Sequence, residues 1–192
     1  MVLVSGFAGS GKTETGKILA ELTSWALLDK DTLTRPLVEH LLTELNGDPH
    51  DRQSALYLDR VRPLEYECLL KTGLENLDQG VSVILSAPFI REVCDGQWLR
   101  RLRRRCSATG VCCAVVWVAA DAETMRQRLT ARNADRDSWK IANWDLYLDG
   151  LDTGMVPVGE HYLVDNSMDG RYPLADQVAA LSRQIVGGGR RC

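Results

Sequence analysis

The sequence predicts an α/β domain in which helices flank a parallel β-sheet. Short apolar segments alternate with helical patterns along the chain, which is typical of repeated strand–helix units. The apolar segment at residues 111–118 is hydrophobic on both faces, as expected of a central strand in a parallel sheet. The length of 192 residues suits one domain with a complete hydrophobic core. In such a sheet, ligands bind beyond the carboxyl ends of the strands.

The expected elements follow one another from the first residue. Strands are predicted at residues 1–4, 25–28, 81–85, 111–118 and 161–164. Helices are predicted at residues 12–23, about 32–45, 51–78 with a kink or restart at Pro63, about 98–106, 122–131 with Asp121 as N-cap, and 173–186. The domain therefore spans residues 1–186, and the glycine-rich segment 187–192 is expected to be a flexible tail.

The helix after the second strand carries many leucines. We expect Asp31 or Thr32 as its N-cap, and Asn46-Gly47-Asp48-Pro49 to end it. Its leucines recur at helical spacing and are expected to form the buried face: Leu33, Leu37, Leu41, Leu42 and Leu45. Residues 86–91, which follow the third strand, are expected to form a loop at the carboxyl edge of the sheet.

A glycine-rich motif lies between the first strand and the first helix. It fits the pattern G-x-x-x-x-G-K-[ST] in the strand–loop–helix context that this motif requires, and its residues are Gly6, Phe7, Ala8, Gly9, Ser10, Gly11, Lys12 and Thr13. Glycines let successive backbone N–H groups converge on one anion, at the positive end of the following helix. The Lys12 ammonium can reach the β- and γ-phosphates of a nucleotide, and the Thr13 hydroxyl can bind Mg²⁺.

The alternative for this motif is a glycine-rich turn that binds nothing. Every fixed position of the pattern is filled, however, and the flanking segments are a strand and a helix. The motif therefore predicts binding of a nucleoside triphosphate.

Two acidic residues, Asp29 and Asp31, follow the second strand and are expected on the same edge of the sheet as the glycine-rich motif. A carboxylate there can accept the proton of a substrate hydroxyl that attacks the γ-phosphorus, or hold the metal through a water molecule. The alternative is that one of them is only a helix cap. We favour a catalytic role for Asp31, whereas both interpretations of Asp29 stay open.

Arginines recur around the helix after the fourth strand, at Arg126, Arg128, Arg132 and Arg136. Arg128 and Arg132 share a helical face, and Arg132 and Arg136 flank a segment that is expected to be a mobile lid over the triphosphate. The alternative is a solvated helix face whose arginines pair with nearby acidic side chains such as Asp137. Arg132 and Arg136 are the stronger candidates for the site, and Arg126 is the weakest.

Other charged residues give weaker indications. A dense run of arginines lies on the solvated face of one predicted helix: Arg100, Arg101, Arg103, Arg104 and Arg105. No aromatic residues interleave with this run, and the net charge is −3, so a general nucleic-acid binder is disfavoured. Arg35 and Arg91 each lie beyond a strand end, where either residue can hold an anionic or polar substrate or can simply be a surface arginine.

The remaining composition predicts a cytoplasmic protein without a membrane anchor. The first strand begins at Met1, which leaves no room for a signal peptide, and no apolar run approaches the ~20 residues of a membrane span. The six cysteines and three histidines show no metal-binding spacing. The adjacent Cys112 and Cys113 are expected to be small buried residues of the fourth strand in a reducing compartment.

Together these residues resemble the small P-loop kinases of the chloramphenicol phosphotransferase-like and zeta-toxin-like kind, which are AAA-type kinases related to shikimate and gluconate kinases. The likeness spans nearly the whole chain. It depends on the motif at 6–13, the segment 28–31, the segment 80–89, the run 128–132 and the pair Arg136-Asp137. The resemblance implies a single P-loop NTPase domain with five parallel strands in the order 2-3-1-4-5 and a lid after strand four. It also implies transfer of the γ-phosphate of ATP, with Mg²⁺, to a hydroxyl group.

The resemblance also implies roles for individual residues. Asp31 matches the carboxylate that faces the substrate hydroxyl, and Asp29 matches the first acid of a D-x-D pair, which lies near magnesium. Arg132 and Arg136 match lid arginines that cover the adenine and the phosphates, and Arg128 belongs to the same run. The sequence departs from many relatives at Ser86, where they carry an aspartate at the end of strand three.

The acceptor is expected to be a small hydroxylated metabolite or antibiotic, and neither its identity nor the oligomeric state follows from the sequence. Two other functions stay open. A kinase of nucleic-acid 5′-hydroxyl groups would use Lys30, Arg35 and the arginine run as a substrate track, and an accessory ATPase would transfer phosphate to water alone.

Overall fold

The computed structural model describes residues 1–187 and contains one parallel sheet. Its strands are β1 (Val2–Ser5), β2 (Ala26–Asp29), β3 (Val83–Ser86), β4 (Ala114–Ala119) and β5 (Tyr162–Asp165). They lie side by side in the order β2-β3-β1-β4-β5, and every neighbouring pair is parallel. The predicted fold class and strand order are therefore confirmed.

Helices cover both faces of this sheet. They are α1 (Lys12–Thr23), α2 (Lys30–Asn46), α3 (Arg62–Asp78) after a π-helical turn (Tyr57–Val61), α4 (Ile90–Cys94), α5 (Gly96–Ser107), α6 (Ala122–Arg132), α7 (Ser138–Ala142) after a 3₁₀ turn (Asp135–Asp137), α8 (Trp144–Asp149) and α9 (Leu174–Gly187). Gly187 closes α9, and the rest of the predicted tail, residues 188–192, lies outside the described residues. Within residues 1–187, none of these helices has the length and apolar character needed to cross a membrane.

The central strands form the core because their side chains are buried on both faces of the sheet. Val2 and Val4 of β1 point to the side covered by α1 and α9, and Leu3 points to the side covered by α3 and α5. All three side chains are fully buried. A strand buried on both faces needs a continuous apolar run, which explains why the sequence located the strands well.

The second helix differs from its prediction in both its cap and its buried face. Its N-cap is Asp29, not Asp31 or Thr32, since Asp29 Oδ1 accepts hydrogen bonds from both of their backbone N–H groups. The buried positions are Lys30, Thr34, Val38 and Leu42. The other predicted core leucines, at 33, 37, 41 and 45, are between 37% and 74% exposed.

This rotation of α2 has a polar cause. Val38 and Leu42 pack against Tyr57 and Val61, while Lys30 and Thr34 contact a buried carboxylate of α3. The buried ion pair and the apolar packing on Tyr57 and Val61 together orient the helix, and a leucine pattern carries no information about either contact.

Other differences concern the ends of the elements. Ser86 ends β3, and Arg91 lies in α4 rather than in a loop. Strand β4 begins at Ala114, so that Cys112 and Cys113 precede it and are half-buried. The helix break near Pro63 is confirmed, because α3 starts at Arg62 with the proline in its first turn.

Candidate active site

The glycine-rich loop between β1 and α1 is confined on two sides. Gly9 and Gly11 have positive φ angles of 81° and 98°, which side chains of L-residues rarely adopt. A Cβ atom on Gly9 would lie 2.7 Å from the Met125 carbonyl oxygen, and one on Gly11 would lie 2.0 Å from Asn166 Nδ2. Glycine is therefore required at both positions, by conformation and by space.

Two side chains hold the loop from outside. Arg128 Nη1 donates to the carbonyl oxygens of Ser10 (3.3 Å) and Gly9 (3.5 Å), and Arg128 Nη2 donates to Asn166 Oδ1 (3.3 Å). Asn166 Nδ2 also donates to the Ser10 carbonyl (2.8 Å). The predicted nucleotide-binding residue Arg128 thus contacts the backbone of the motif. Sequence reasoning assigned no role to Asn166, although its position beyond β5 placed it on the ligand edge of the sheet.

Lys12 lies at the centre of the site. Its Nζ donates to the Phe7 carbonyl (2.7 Å), which closes the loop around the ammonium group. Burial lowers the pKa of Lys12 to about 8, against the attraction of Asp31 and Asp29 and together with the repulsion of Arg132 and Lys140. A lysine that lies close to other cations produces a positive potential that attracts an anion.

Thr13 and Asp29 supply two oxygen atoms beside Lys12. Thr13 Oγ1 donates to Asp29 Oδ2 at 3.4 Å, while Asp29 Oδ1 caps α2. A hydroxyl and a carboxylate oxygen are suitable Mg²⁺ ligands, so these residues fit the metal. Residues 1–187 contain no group of three or more His, Cys, Asp or Glu side chains that could hold an ion alone. Mg²⁺ at this position would need further ligands from phosphate and water.

Asp31 lies at the mouth of the same cleft, with its side chain 39% exposed. Its Oδ1 is 2.9 Å from Lys30 Nζ, and its Oδ2 is 3.4 Å from Arg136 Nη2. Burial alone would raise the pKa of Asp31, but the positive charges of Lys30, Arg136 and Lys12 lower it to about 2. Asp31 is therefore an oriented carboxylate at neutral pH.

A buried network behind Asp31 was not predicted. Glu65 of α3 accepts hydrogen bonds from Lys30 Nζ (2.7 Å), Thr34 Oγ1 (2.9 Å) and the Tyr57 hydroxyl (2.7 Å). Its side chain is 1% exposed. Lys30 thus bridges Glu65 and Asp31, which fixes the end of β2 to α3. No sequence signal distinguishes Glu65 from the other glutamates of its helix, because only the tertiary structure buries it.

Four charged residues of the lid, which comprises residues 132–140, line the cleft: Arg132, Arg136, Asp137 and Lys140. Asp137 is buried and accepts from Arg132, with Nε at 3.0 Å and Nη2 closer, and from Lys140 Nζ at 3.1 Å. Arg136 contacts Asp31 instead. The alternative interpretation of Arg132, in which it pairs with Asp137, therefore describes the contact in this structure, while Lys140 was missed.

One cavity of about 590 Å³ connects these groups. It is lined by most of the predicted site residues, namely Phe7, Ala8, Gly9, Lys12, Thr13, Asp29, Asp31, Arg35, Arg91, Arg132 and Arg136. It is also lined by Lys30, which was considered only for the nucleic-acid alternative, and by Asp137, which was considered only as an arginine partner. Further lining residues were not considered at all, and they include Arg52, Tyr57, Arg62 and Lys140. The cavity lining does not include Gly6, Ser10, Gly11 and Arg128, nor the arginines of α5.

Arg35 and Arg91 both line the cavity. Neither side chain makes an ion pair or a hydrogen bond with any residue in the described range 1–187. Arg126 lies elsewhere, 5.9 Å from the centre of the Trp144 ring.

Comparisons with known proteins agree with this architecture. A family model described as "AAA domain" matches residues 1–152, whereas no curated protein sequence matches the chain. Among solved structures, the chain is similar to a protein of Chloroflexus aurantiacus named provisionally as a kinase, with 20% identity, 96% coverage of both chains and a TM-score of 0.64. It is also similar to a gluconokinase from Sinorhizobium meliloti, with 21% identity, 97% and 95% coverage and a TM-score of 0.56.

A third similar structure is a shikimate kinase from Bacteroides thetaiotaomicron, with 14% identity, 97% coverage of both chains and a TM-score of 0.52. At these identities the likeness concerns the fold. The expected resemblance to gluconate and shikimate kinases is confirmed at that level.

Proposed function

The chain belongs to the AAA domain family, and from that premise we propose that it transfers the γ-phosphate of ATP to a hydroxyl group of a small molecule. One observation carries the proposal: the Lys12 loop and the Asp31 carboxylate face a single cavity that the lid cations also line. Phosphoryl transfer needs a donor end of the cavity that binds the nucleotide phosphates, an acceptor end that binds the hydroxyl group, and a segment that covers both.

The donor end is the loop with its helix. Backbone N–H groups at the start of α1 and the Lys12 ammonium bind the phosphate oxygens. Thr13 and Asp29 would hold Mg²⁺, and the chemistry supplied there is neutralisation of phosphate charge. Arg128 and Asn166 keep the loop in the conformation that points its N–H groups at one anion.

At the acceptor end, Asp31 orients the substrate. Its carboxylate accepts a hydrogen bond from the hydroxyl, so that the oxygen lone pair faces the γ-phosphorus. A bond forms from this oxygen to the phosphorus, while the bond from the phosphorus to the β,γ-bridging oxygen breaks and ADP leaves with its electrons. The hydroxyl proton passes to Asp31. Because the transition state is loose and the proton moves late, a carboxylate with a low pKa is a sufficient base.

The class of acceptor is supported by the neighbours and by the cavity. Gluconokinase and shikimate kinase are named for small hydroxylated acceptors. The cavity has room for a nucleotide tail and a small molecule, and Arg35, Tyr57 and Arg91 contribute polar side chains to its lining.

An acceptor screen tests this proposal. Purified protein is incubated with Mg-ATP and a panel of sugars, sugar acids, polyols, aminoglycosides and 5′-hydroxyl oligonucleotides, and mass spectrometry detects an added phosphate. We expect one small-molecule class to be phosphorylated. We also expect Asp31→Asn to lower the rate about 100-fold or more while ATP still binds, because the oriented carboxylate is lost.

Two outcomes contradict the proposal. The first is transfer to water alone, undiminished by any acceptor, which would indicate an accessory ATPase. The second is full activity of Asp31→Asn. Phosphorylation of oligonucleotides alone, with affinity that falls steeply with salt, would replace the small-molecule acceptor with a nucleic acid.

A further inference from the structure

The lid contains a cation that the sequence did not single out. Lys140 of α7 has a side chain that is only 15% exposed, and its Nζ lies 3.1 Å from Asp137 Oδ1 and 3.5 Å from the Arg136 carbonyl oxygen. It lines the same cavity as Lys12 and Arg132. An ammonium group has three N–H donors, and the described contacts use two of them.

The charges around Lys140 do not balance. Asp137 is shared by Lys140 and Arg132, so that one buried carboxylate serves two cations. Lys12 adds a third positive charge to the same cavity; burial and the charges of Arg132 and Lys140 lower its pKa, while Asp31 and Asp29 raise it. Nine basic and three acidic residues line the cavity as a whole, so positive charge is in excess there. Holding cations that repel one another close together, with Lys140 largely buried, is unfavourable unless an anion joins them.

This excess of positive charge indicates that the cluster binds an anion. Arg132 and Lys140 lie on the lid, while Lys12 lies in the loop below, so the charges approach one region from two sides. In the proposed function, the groups that enter this region are the β- and γ-phosphates. Their oxygens can accept a hydrogen bond from the third N–H group of Lys140, which the described contacts do not use.

We propose that Lys140 is a phosphate-binding residue that contacts the β- or γ-phosphate together with Lys12, and that Asp137 is a positioning residue that holds Lys140 and Arg132 over the cleft. This inference rests on the proposed use of a nucleoside triphosphate. A purely structural lid pair would stabilise the lid without distinguishing one nucleotide from another.

Calorimetric titration with ATP, ADP and AMP tests the assignment, with Mg²⁺ present throughout. We expect Lys140→Met to weaken binding of ATP and ADP about tenfold or more and to change AMP binding by less than about twofold, because AMP lacks the phosphates that Lys140 contacts. Lys140→Arg keeps the charge and is expected to retain most of the affinity. Asp137→Asn is expected to weaken ATP binding as well, since it releases both cations.

The matched control is Lys71→Met. Lys71 pairs with Glu67 on the surface of α3, as Lys140 pairs with Asp137, but it does not line the active-site cavity. If Lys140→Met does not fold, which its thermal melt shows, Lys140→Gln replaces it.

The inference is overturned if the variant binds ATP as the wild type does, or if ATP, ADP and AMP affinities fall by the same factor. If the wild type binds ATP and the variant gives one of these two results, only this inference is contradicted. A wild-type protein that binds no nucleotide contradicts the proposed function as well.

Discussion

Single charged residues in this protein are placed by partners that lie far away in the sequence. The residues next to Glu65 in the sequence do not distinguish it from an exposed glutamate. In the structure, however, Lys30, Thr34 and Tyr57 all donate hydrogen bonds to its buried carboxylate. Buried charges of this kind persist only where every partner is present. The consequence for function is that Lys30 has one position, between Glu65 and Asp31, and that Asp31 has one orientation.

Glu65→Gln tests how much this network stabilises the fold. The substitution removes the negative charge and leaves Lys30 buried with a weaker partner. We expect the free energy of unfolding to fall by about 3 kcal/mol, as in other proteins where one member of a buried pair is removed. Denaturation in urea, followed by circular dichroism, measures the change.

The control for this prediction is Glu67→Gln, two residues further along α3. Glu67 forms an exposed pair with Lys71, and we expect its unfolding midpoint to match that of the wild type. Equal midpoints for Glu65→Gln and the wild type would show that the buried network does not stabilise the protein.

At the scale of the elements, strands were predicted more accurately than helix faces. A central strand is buried on both sides, so its apolar run in the sequence marks it directly, and β1 was placed to within one residue. A helix such as α2 has several faces of similar leucine content. Which of these faces turns inward depends on Tyr57, Val61 and Glu65, all of which belong to other elements. The sequence therefore predicted that α2 exists but not how it is rotated.

Paired leucine substitutions test this orientation. Leu42 is fully buried, whereas Leu37 is 74% exposed. Leu42→Ala is expected to lower the free energy of unfolding by about 3 kcal/mol, because it removes buried methyl groups and leaves a cavity. Leu37→Ala is expected to change it by less than about 0.5 kcal/mol. Thermal and urea denaturation of both variants measure these changes, and a larger loss at Leu37 would contradict the observed rotation.

The site shows the same division between what spacing predicts and what it does not. The loop at 6–13 and the positions of Asp29 at the end of β2 and Asp31 just beyond it were predicted because parallel strands bring their carboxyl ends to one edge. The Asn166 contact and the Lys140–Asp137 pair were not predicted, since each depends on how a loop or lid folds back over that edge. The helix-cap interpretation of Asp29 describes its contacts in this structure, because Oδ1 caps α2 while Oδ2 accepts from the Thr13 hydroxyl, and its role at the metal stays a proposal.

Basic and acidic residues are distributed unevenly between the cleft and the rest of the molecule. The chain carries a net charge of −3, yet nine basic and three acidic residues line the cleft. A positive cleft in an acidic protein attracts anions to one place. This distribution agrees with a triphosphate donor in the cleft, and the proposed function depends on nucleotide binding there.

Calorimetric titration of Mg-ATP into the wild type and into Lys12→Met is the most direct test of nucleotide binding in the cleft. We expect a single binding site in the wild type and affinity at least about tenfold weaker in the variant, because the Lys12 ammonium contacts the phosphates. Lys17→Met, one turn further along α1 on the exposed surface, is expected to bind as the wild type does. A wild-type protein that takes up no purine nucleotide in the presence of magnesium, or a Lys12 variant with unchanged affinity, would contradict the account.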